Sequence, residues 1–457
     1  MSLQRYPHYK DSGVRWLGSL PAHWDVKRLK YACKVFPSNV NKHSREDESS
    51  VLLCNYTDVY YNEQITCDMQ FMAATASRDQ IERFMLRAGD TIITKDSETA
   101  DDIAIAAYVP RDLPGVVCGY HLSMVRPRDY TSGAFVKRLF DSFYAKARFA
   151  VAANGLTRVG LGQYALDNVE FPFPPLNEQI VIAAFLDRET AKIDALISEQ
   201  EKLIPLLAEK REATVSDAVT HGLNPKILKK DSGFAWLGEV PTHWEIRRVK
   251  YATSFTTSGS RGWSERIAEE GSLFIQSGDL NDSLGVDFES AKRVNVGSDA
   301  EAVRTQLADG DVVVCITGAK TGNVAVCVSV PEPAFVNQHV CLVRPSCGVL
   351  PTFLAAALKS KVGQTQIELS QYGLKQGLSL ENVREIWIGL PPHAEQQDIV
   401  RFLEMETTRL DALKKEAERA ITLLKERRSA LIAAAVTGQI DVRAALIRLT
   451  HGEALAA

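Results

Sequence analysis

The chain has 457 residues, 45 % of them hydrophobic and 24 % charged, which suits two or three domains with large cores and excludes a mostly disordered protein. The formal net charge is −4, so no global basic field advertises nucleic acid, and DNA contact would rest on local patches or on partner subunits. No apolar run exceeds seven residues and the start, Met1–Pro7, lacks a secretory stretch, so a cytoplasmic protein with no membrane span is expected.

The first block, residues 10–32, begins with Lys10-Asp11-Ser12-Gly13. It continues through Trp16-Leu17-Gly18 and Pro21-x-His23-Trp24 to Arg28-x-Lys30-Tyr31-Ala32. It returns without a gap at 230–252, where 14 of 23 positions are identical. An internal repeat of this quality decides the architecture. After each copy the two halves diverge into mixed α and β patterning. Short β-rich runs at Asp90–Thr94, Val312–Ile316, Val324–Val330 and Val340–Val343 sit between turn residues, and Ala134–Ala152 and Thr352–Leu369 read as helices. A sparse skeleton survives in both. Gly89-Asp90 matches Gly310-Asp311, and His121 with Val125-Arg126-Pro127 matches His339 with Val343-Arg344-Pro345. Gly155-Leu156 matches Gly373-Leu374. The order of strands does not follow from these patterns.

Pro174-Pro175 and Pro391-Pro392 punctuate the start of a second repeated block. Residues 178–220 match 395–437 at 21 of 43 positions, including Glu178-Gln179 with Glu395-Gln396, Phe185-Leu186 with Phe402-Leu403 and Asp194-Ala195-Leu196 with Asp411-Ala412-Leu413. Leu186, Ile193, Gln200 and Leu207 fall seven apart, as do Leu403, Leu410, Ala417, Leu424 and Leu431. Leu196, Leu203 and Leu413 are expected to fill the companion seam position. Such heptads predict two long helices that pair as a coiled coil. Pro205, where the second copy has Thr422, predicts a kink or short break.

Catalytic signatures do not emerge. The Pro-Pro pairs lack the polar residue that an adenine methyltransferase uses to hold a flipped base. Gly-x-Gly-x-x-Gly is missing, and Gly318-Ala319-Lys320-Thr321-Gly322 does not fit a phosphate-binding P-loop. No lysine has Glu two residues before it, as many nucleases require, and Ser, His and Asp lack a framing nucleophile motif. The nine histidines show no metal spacing, and His23 and His243, repeated beside Trp24 and Trp244, suit packing at a domain edge. The eight cysteines form no Cys-x-x-Cys pair, so reduced and mostly buried thiols are expected.

Two unlike domains separated by two like helices resemble the specificity subunit of type I restriction–modification systems. The paired Lys-Asp-Ser-Gly…Trp-Leu-Gly…Pro-x-His-Trp blocks, the paired Pro-Pro…Glu-Gln…Phe-Leu…Asp-Ala-Leu helices and the Gly-Asp, His…Arg-Pro and Gly-Leu skeleton carry the resemblance over nearly the whole chain. It implies an α+β protein with two mixed α/β target recognition domains at 1–173 and 223–390. Long helices at 174–222 and 391–457, the latter with a tail, would pair antiparallel as a coiled coil. Each domain would read half of a split double-stranded DNA target, and the helices would set the gap. The subunit would be non-catalytic. It would dock two modification subunits that use S-adenosylmethionine, with two restriction subunits that use ATP and Mg2+ joining them; neither metal nor cofactor would bind this chain. A helix of about 43 residues spans roughly 65 Å, ample to hold two readers about one or two DNA turns apart at roughly 34 Å per turn. A specificity subunit of a modification-only system is the variant reading. A self-contained methyltransferase or nuclease and a protein-only coiled-coil adaptor are the rivals.

Base reading needs short polar side chains in exposed loops, and phosphate contact needs cations and backbone amides. The first domain offers Lys95, Ser97 and Glu98 after the Gly-Asp strand, and Thr157 and Arg158 after Gly155-Leu156. The second offers Lys320, Thr321 and Asn323, then Lys375 and Gln376, with Arg261 and Trp263 in a third loop. Lys27-Arg28-Lys30 and Arg247-Arg248-Lys250 recur, so they would hold phosphate or a partner rather than specify sequence. On the helices, Leu186, Ile193, Leu207, Leu403, Leu410, Leu424 and Leu431 are the expected pairing residues.

Overall fold

A computed structural model describes residues 4–297, 300–371 and 377–443. The chain divides into two units. One joins the residues up to Gln200 with those from Arg419 on, and the other runs from Glu201 to Glu418. The fold is α+β, as expected. Each unit holds one mixed domain and one half of each long helix, Leu176–His221 and His393–Val436.

In both units an antiparallel four-stranded sheet forms the centre. Its order in the first is Cys33–Pro37, Leu122–Pro127, Thr91–Thr94, Ala106–Tyr108. In the second it is Thr253–Ser258, Val340–Pro345, Val312–Cys315, Val324–Val326. The repeated skeleton is explained here. Arg126 grips Asp90 through Nε and Nη2 at 2.8 and 2.7 Å. Arg344 grips Asp311 the same way, at 2.7 Å twice. Both aspartates are buried, and a two-point guanidinium–carboxylate pair fixes the facing strands in register.

The Lys-Asp-Ser-Gly block is a hairpin. Gly13 and Gly233 take left-handed backbone, and each donates its N–H to the side chain of Asp11 or Asp231 two residues earlier. Behind it, Trp24 and Trp244 are buried. His23 Nε2 lies 2.8 Å from Glu178 Oε2, and His243 Nε2 lies 2.7 Å from Glu395 Oε2. Tyr6 and Trp24 also donate to Glu178, at 2.6 and 3.2 Å. The neighbouring glutamines are buried and pin the helix starts. Gln179 donates to Pro174 O and accepts from Ser132 N–H, and Gln396 donates to Pro391 O and accepts from Leu350 N–H. The repeated Glu-Gln pair is therefore a clamp between domain and helix.

The long helices run antiparallel within each unit. In the first, Ile182, Phe185 and Leu186 share a core with Ile432, Ala435 and Val436, and Arg428 bonds Asp194 at 2.9 Å. In the second, Ala218 and Val219 share a core with Ile399 and Leu403, and Arg211 lies 3.2 Å from Asp411. Leu186, Ile193, Leu207, Leu403 and Leu410 are buried, while Leu424 and Leu431 are half-buried. The companion position is corrected. Leu196, Leu203 and Leu413 are exposed, and on the first helix Thr190 and Ile197 are buried instead. A helix of 3.6 residues per turn drifts against a seven-residue repeat, so here the second buried position falls four residues after the first, not three. The helix also runs through Pro205 without the break expected there. The segments read as single helices are each two, Gly133–Asp141 with Phe143–Ala152 and Pro351–Lys359 with Lys361–Ser370. Ser142 and Ser360 cap the second member of each pair. All eight cysteines are free, six of them buried. Burial pushes the Cys33 and Cys341 thiols up to about 12. Among the described residues no helix is long and apolar enough to cross a membrane.

Each long helix ends on a domain. Gly222 and Gly438 close the helices in left-handed backbone. A Cβ on Gly438 would fall 2.3 Å from Pro21, and one on Gly222 would fall 3.3 Å from Trp244. Beyond Gly438 the chain bridges Gln4 through Asp441. The first domain is thus completed by the far end of the chain.

Candidate nucleic-acid interface

In the first unit the two loops read from the sequence converge. Asp96–Ser97 pairs antiparallel with Val159–Gly160, and Leu161 N–H donates to Lys95 O at 2.9 Å. The turn Gly155–Arg158 projects beyond this ladder. Its glycine is obligatory, because a Cβ there would fall 1.9 Å from Arg158 O. Leu156, Thr157, Arg158 and Glu98 are exposed, and Lys95 is half-exposed. Arg158 makes no ion pair among the described residues. Ser97 has a different task from the one read in the sequence. It is 2 % exposed and lies beside the Tyr56 hydroxyl.

That neighbour belongs to a group the sequence reading missed. Tyr56 stacks on Tyr60, with ring centres 5.4 Å apart, and Tyr61 meets Tyr60 edge-on. Burial pushes the Tyr56 hydroxyl up, while the nearby Ser97 hydroxyl and Arg158 charge pull it down. Tyr60 donates to Asp102 at 2.7 Å, a bond that pushes its own hydroxyl up to about 12. In the turn before Leu122–Pro127, His121 Nδ1 lies 3.1 Å from Asp96 Oδ2, with the Tyr120 ring 3.7 Å away. Cationic, aromatic and amide groups therefore share one edge of the first domain. Their ordinary helix spacing concealed the tyrosines in the sequence.

The second unit repeats the frame with other side chains. Thr317 bridges Gly377, and Leu378 N–H donates to Ile316 O at 2.8 Å. Thr317 bonds His339 Nδ1, in the place where Asp96 meets His121. The turn Gly318–Lys320 is exposed. Lys320 donates to Gly278 O at 3.1 Å, and Thr321 donates to Gly318 O at 2.6 Å. Asn323 is buried and committed on both sides: its amide donates to Leu280 O at 3.0 Å and it accepts from Lys359 at 2.6 Å. Trp263 is 1 % exposed, packed against Phe274 and Phe335. Arg261 beside it is exposed on a turn fixed by the Ser260–Asn337 bridge. Lys375 and Gln376 lie outside the described residues.

The repeated cations are held within their own domains. Arg28 lies 3.7 Å from Glu170, and Lys30 donates to Asn168 at 2.9 Å. Arg248 and Lys250 share Glu385. Among the described residues Arg158 and Arg261 stand at the edge without an ion pair, and neither is repeated. In DNA-binding assays of the assembled protein, Arg158→Ala is expected to lower affinity several-fold on all sequences and to reduce the salt dependence by about one phosphate contact. An unchanged slope of log affinity against log salt would remove Arg158 from the interface.

Comparison with known proteins gives consistent results. The family described as type I restriction modification DNA specificity domain matches residues 21–205 and 266–423. The type I restriction enzyme EcoBI specificity subunit of Escherichia coli is 26 % identical over 334 residues, covering 67 % of this chain and 66 % of that protein. The EcoKI specificity subunit of E. coli strain K12 is 23 % identical over 348 residues, covering 72 % and 69 %. The chain thus spans about two thirds of the length of these relatives. The crystal structure of the HsdS subunit from Thermoanaerobacter tengcongensis aligns with a TM-score of 0.60 at 18 % identity, over 92 % of this chain and 98 % of that one. A chain from a structure of type I system complex assembly and conformational transition aligns with a TM-score of 0.66 at 18 % identity, over 91 % and 98 %.

Proposed function

We propose, from the premise that this chain belongs to the type I restriction–modification DNA specificity family, that its two domains read the two halves of one split DNA target. The chain is a specificity subunit and performs no chemistry of its own. One observation carries the reading. The groups that hold each domain together are repeated, whereas the exposed edge groups differ: Lys95, Glu98, Thr157 and Arg158 in one, Arg261 and the turn Gly318–Lys320 in the other. Repetition of the frame gives both domains one way of meeting DNA, and divergence among the polar edge groups gives each its own bases, with Arg158 on phosphate.

The helix pair is the spacer in this reading. A continuous helix of 46 residues is about 69 Å long at roughly 1.5 Å per residue, stiff enough to convert protein length into a base-pair count. The same helices would dock two modification subunits. Leu196 and Leu413 are equivalent by the repeat and both exposed, as are Leu206 and Leu423. Exposed leucines that recur at equivalent positions suit two copies of one partner. S-adenosylmethionine would bind those modification subunits, and ATP with Mg2+ would bind two restriction subunits. The test is adenine methylation mapping of host DNA with and without the gene. Loss of one motif, made of two short half-sites around a fixed gap, is expected. A motif without a gap would contradict the two-reader arrangement.

A further inference from the structure

Where the first domain meets its helix pair, charged groups from four elements are gathered. Arg428 of the second long helix donates to Glu63 at 2.7 Å and to Asp194 of the first long helix at 2.9 Å. Arg138 donates to Glu63, Asp141 and Asp187 at 3.1, 2.9 and 2.9 Å. Lys137 donates to Asp141 at 2.8 Å and also bonds Glu63. Lys137 and Arg138 are buried. Burial alone would raise the Glu63 carboxyl, but Lys137, Arg138 and Arg428 outweigh it and hold it at about 2. One network thus ties a domain loop and a domain helix to both long helices.

The second unit builds the same place differently. Tyr108 N–H donates to Glu63 O, and its counterpart Val326 N–H donates to Leu284 O, so Leu284 stands where Glu63 does. Counting from Ser132 and Leu350, which meet the repeated Gln179 and Gln396, Ala355 and Ala356 stand where Lys137 and Arg138 do. Arg211 and Asp411 remain, at the repeat positions of Arg428 and Asp194, as a pair between the helices. The vacated space is a cavity of about 360 Å³ bordered by Leu284, Ala356 and Leu403 and by the charged Arg211, Asp282, Lys359 and Glu404. Among the described residues no ion pair crosses from domain to helices here.

We infer that Glu63 is a positioning residue: through Arg428 it fixes the attitude of the first domain on its helix pair, and so the half-site spacing that the protein accepts. This rests on the two-reader function proposed above. Changing the gap by one base pair moves a half-site by roughly 3.4 Å along the duplex and roughly 34° around it. A domain can follow that only by turning on its helices. Forked ion pairs from several directions resist turning, whereas a cavity with no ion pair across it permits it.

The experiment is methylation by the complete complex on duplexes carrying both half-sites with gaps one pair shorter, cognate and one pair longer. Arg428→Gln and Glu63→Gln are each expected to raise methylation of the altered gaps about tenfold relative to the cognate one, a coupling of about 1.4 kcal/mol. Half-site bases should be unchanged, and Arg428→Lys should restore part of the selectivity. Arg211→Gln, which makes no ion pair with its domain among the described residues, should leave gap selectivity alone. A merely structural role would lower the melting temperature without moving the preferred gap. A wild-type complex with a fixed gap and both variants with the same strictness would overturn this inference alone, as would equal relaxation by Arg211→Gln. A wild-type complex indifferent to the gap would overturn the two-reader function itself, and this inference with it.

Discussion

Asp90→Ala is expected to destabilise the first unit by about 3 kcal/mol or more, and to cost the complex one half-site while the other is still read. Asp90 is buried, holds both prongs of Arg126 and also accepts the Arg87 N–H at 2.9 Å. Removing it strands a guanidinium that is 20 % exposed and a turn amide together, and breaking a buried pair from one side costs about 3–5 kcal/mol. The equivalent Asp311→Ala should act on the second unit and less severely, because Arg344 is 40 % exposed and can turn to water. Denaturant unfolding followed with hydrogen exchange on Thr91–Thr94 and Val312–Cys315 separates the two. Losses under about 0.5 kcal/mol in both, the range of ordinary surface changes, would mean that the repeated Gly-Asp and Arg-Pro pairs do not lock the sheets.

Leu410→Lys is expected to break assembly with modification subunits while leaving both sheets intact. Leu410 is 5 % exposed, next to Leu207 and Ala208 along the seam of the second unit. The change forfeits roughly 2 kcal/mol of apolar burial and forces an ammonium either into the seam or out past it. Leu413→Lys, one turn on and 40 % exposed, lies on the docking face itself and should cost no more than about 0.5 kcal/mol in folding, so it separates lost docking from a loosened seam. Light scattering of the mixed subunits reads the first effect, and circular dichroism of the chain reads the second. Full assembly of Leu410→Lys at wild-type concentrations would remove the helix pair from the docking role.

The repeat made much of this architecture legible from the chain alone. Identity across 10–32 and 230–252 marks the hairpin, the buried tryptophan and the histidine clamp without showing what they touch. The partner of His23 is Glu178, more than 150 residues away, and no local pattern announces it. Strand order was closed for the same reason, since Asp90 and Arg126 lie on adjacent strands but 36 positions apart. At the edge, turn chemistry located Gly155–Arg158 and Gly318–Lys320. It said nothing of burial, so Ser97, Trp263 and Asn323 look as available in sequence as Arg158 and Arg261. Tyr56, Tyr60 and Tyr61 carry ordinary helix spacing and stand out only once they stack. On the helices the seven-residue stripe was visible, but its partner stripe depends on how far the helix rotates over its domain.

The closing contact between Gln4 and Asp441 has a consequence for biosynthesis. The second unit is continuous in the chain from Glu201 to Glu418, whereas the first needs residues from both ends. A ribosome adding about 5–20 residues per second delivers every part of the second unit before it delivers Ile432, Ala435 and Val436, which fill the core of the first. The domain made first is therefore the domain finished last. Until Ile432, Ala435 and Val436 have been made, Trp24, Phe185 and Leu186 wait with part of their apolar surface uncovered. A premature stop just after Glu418 would spare the later half of the message and ruin the earlier one.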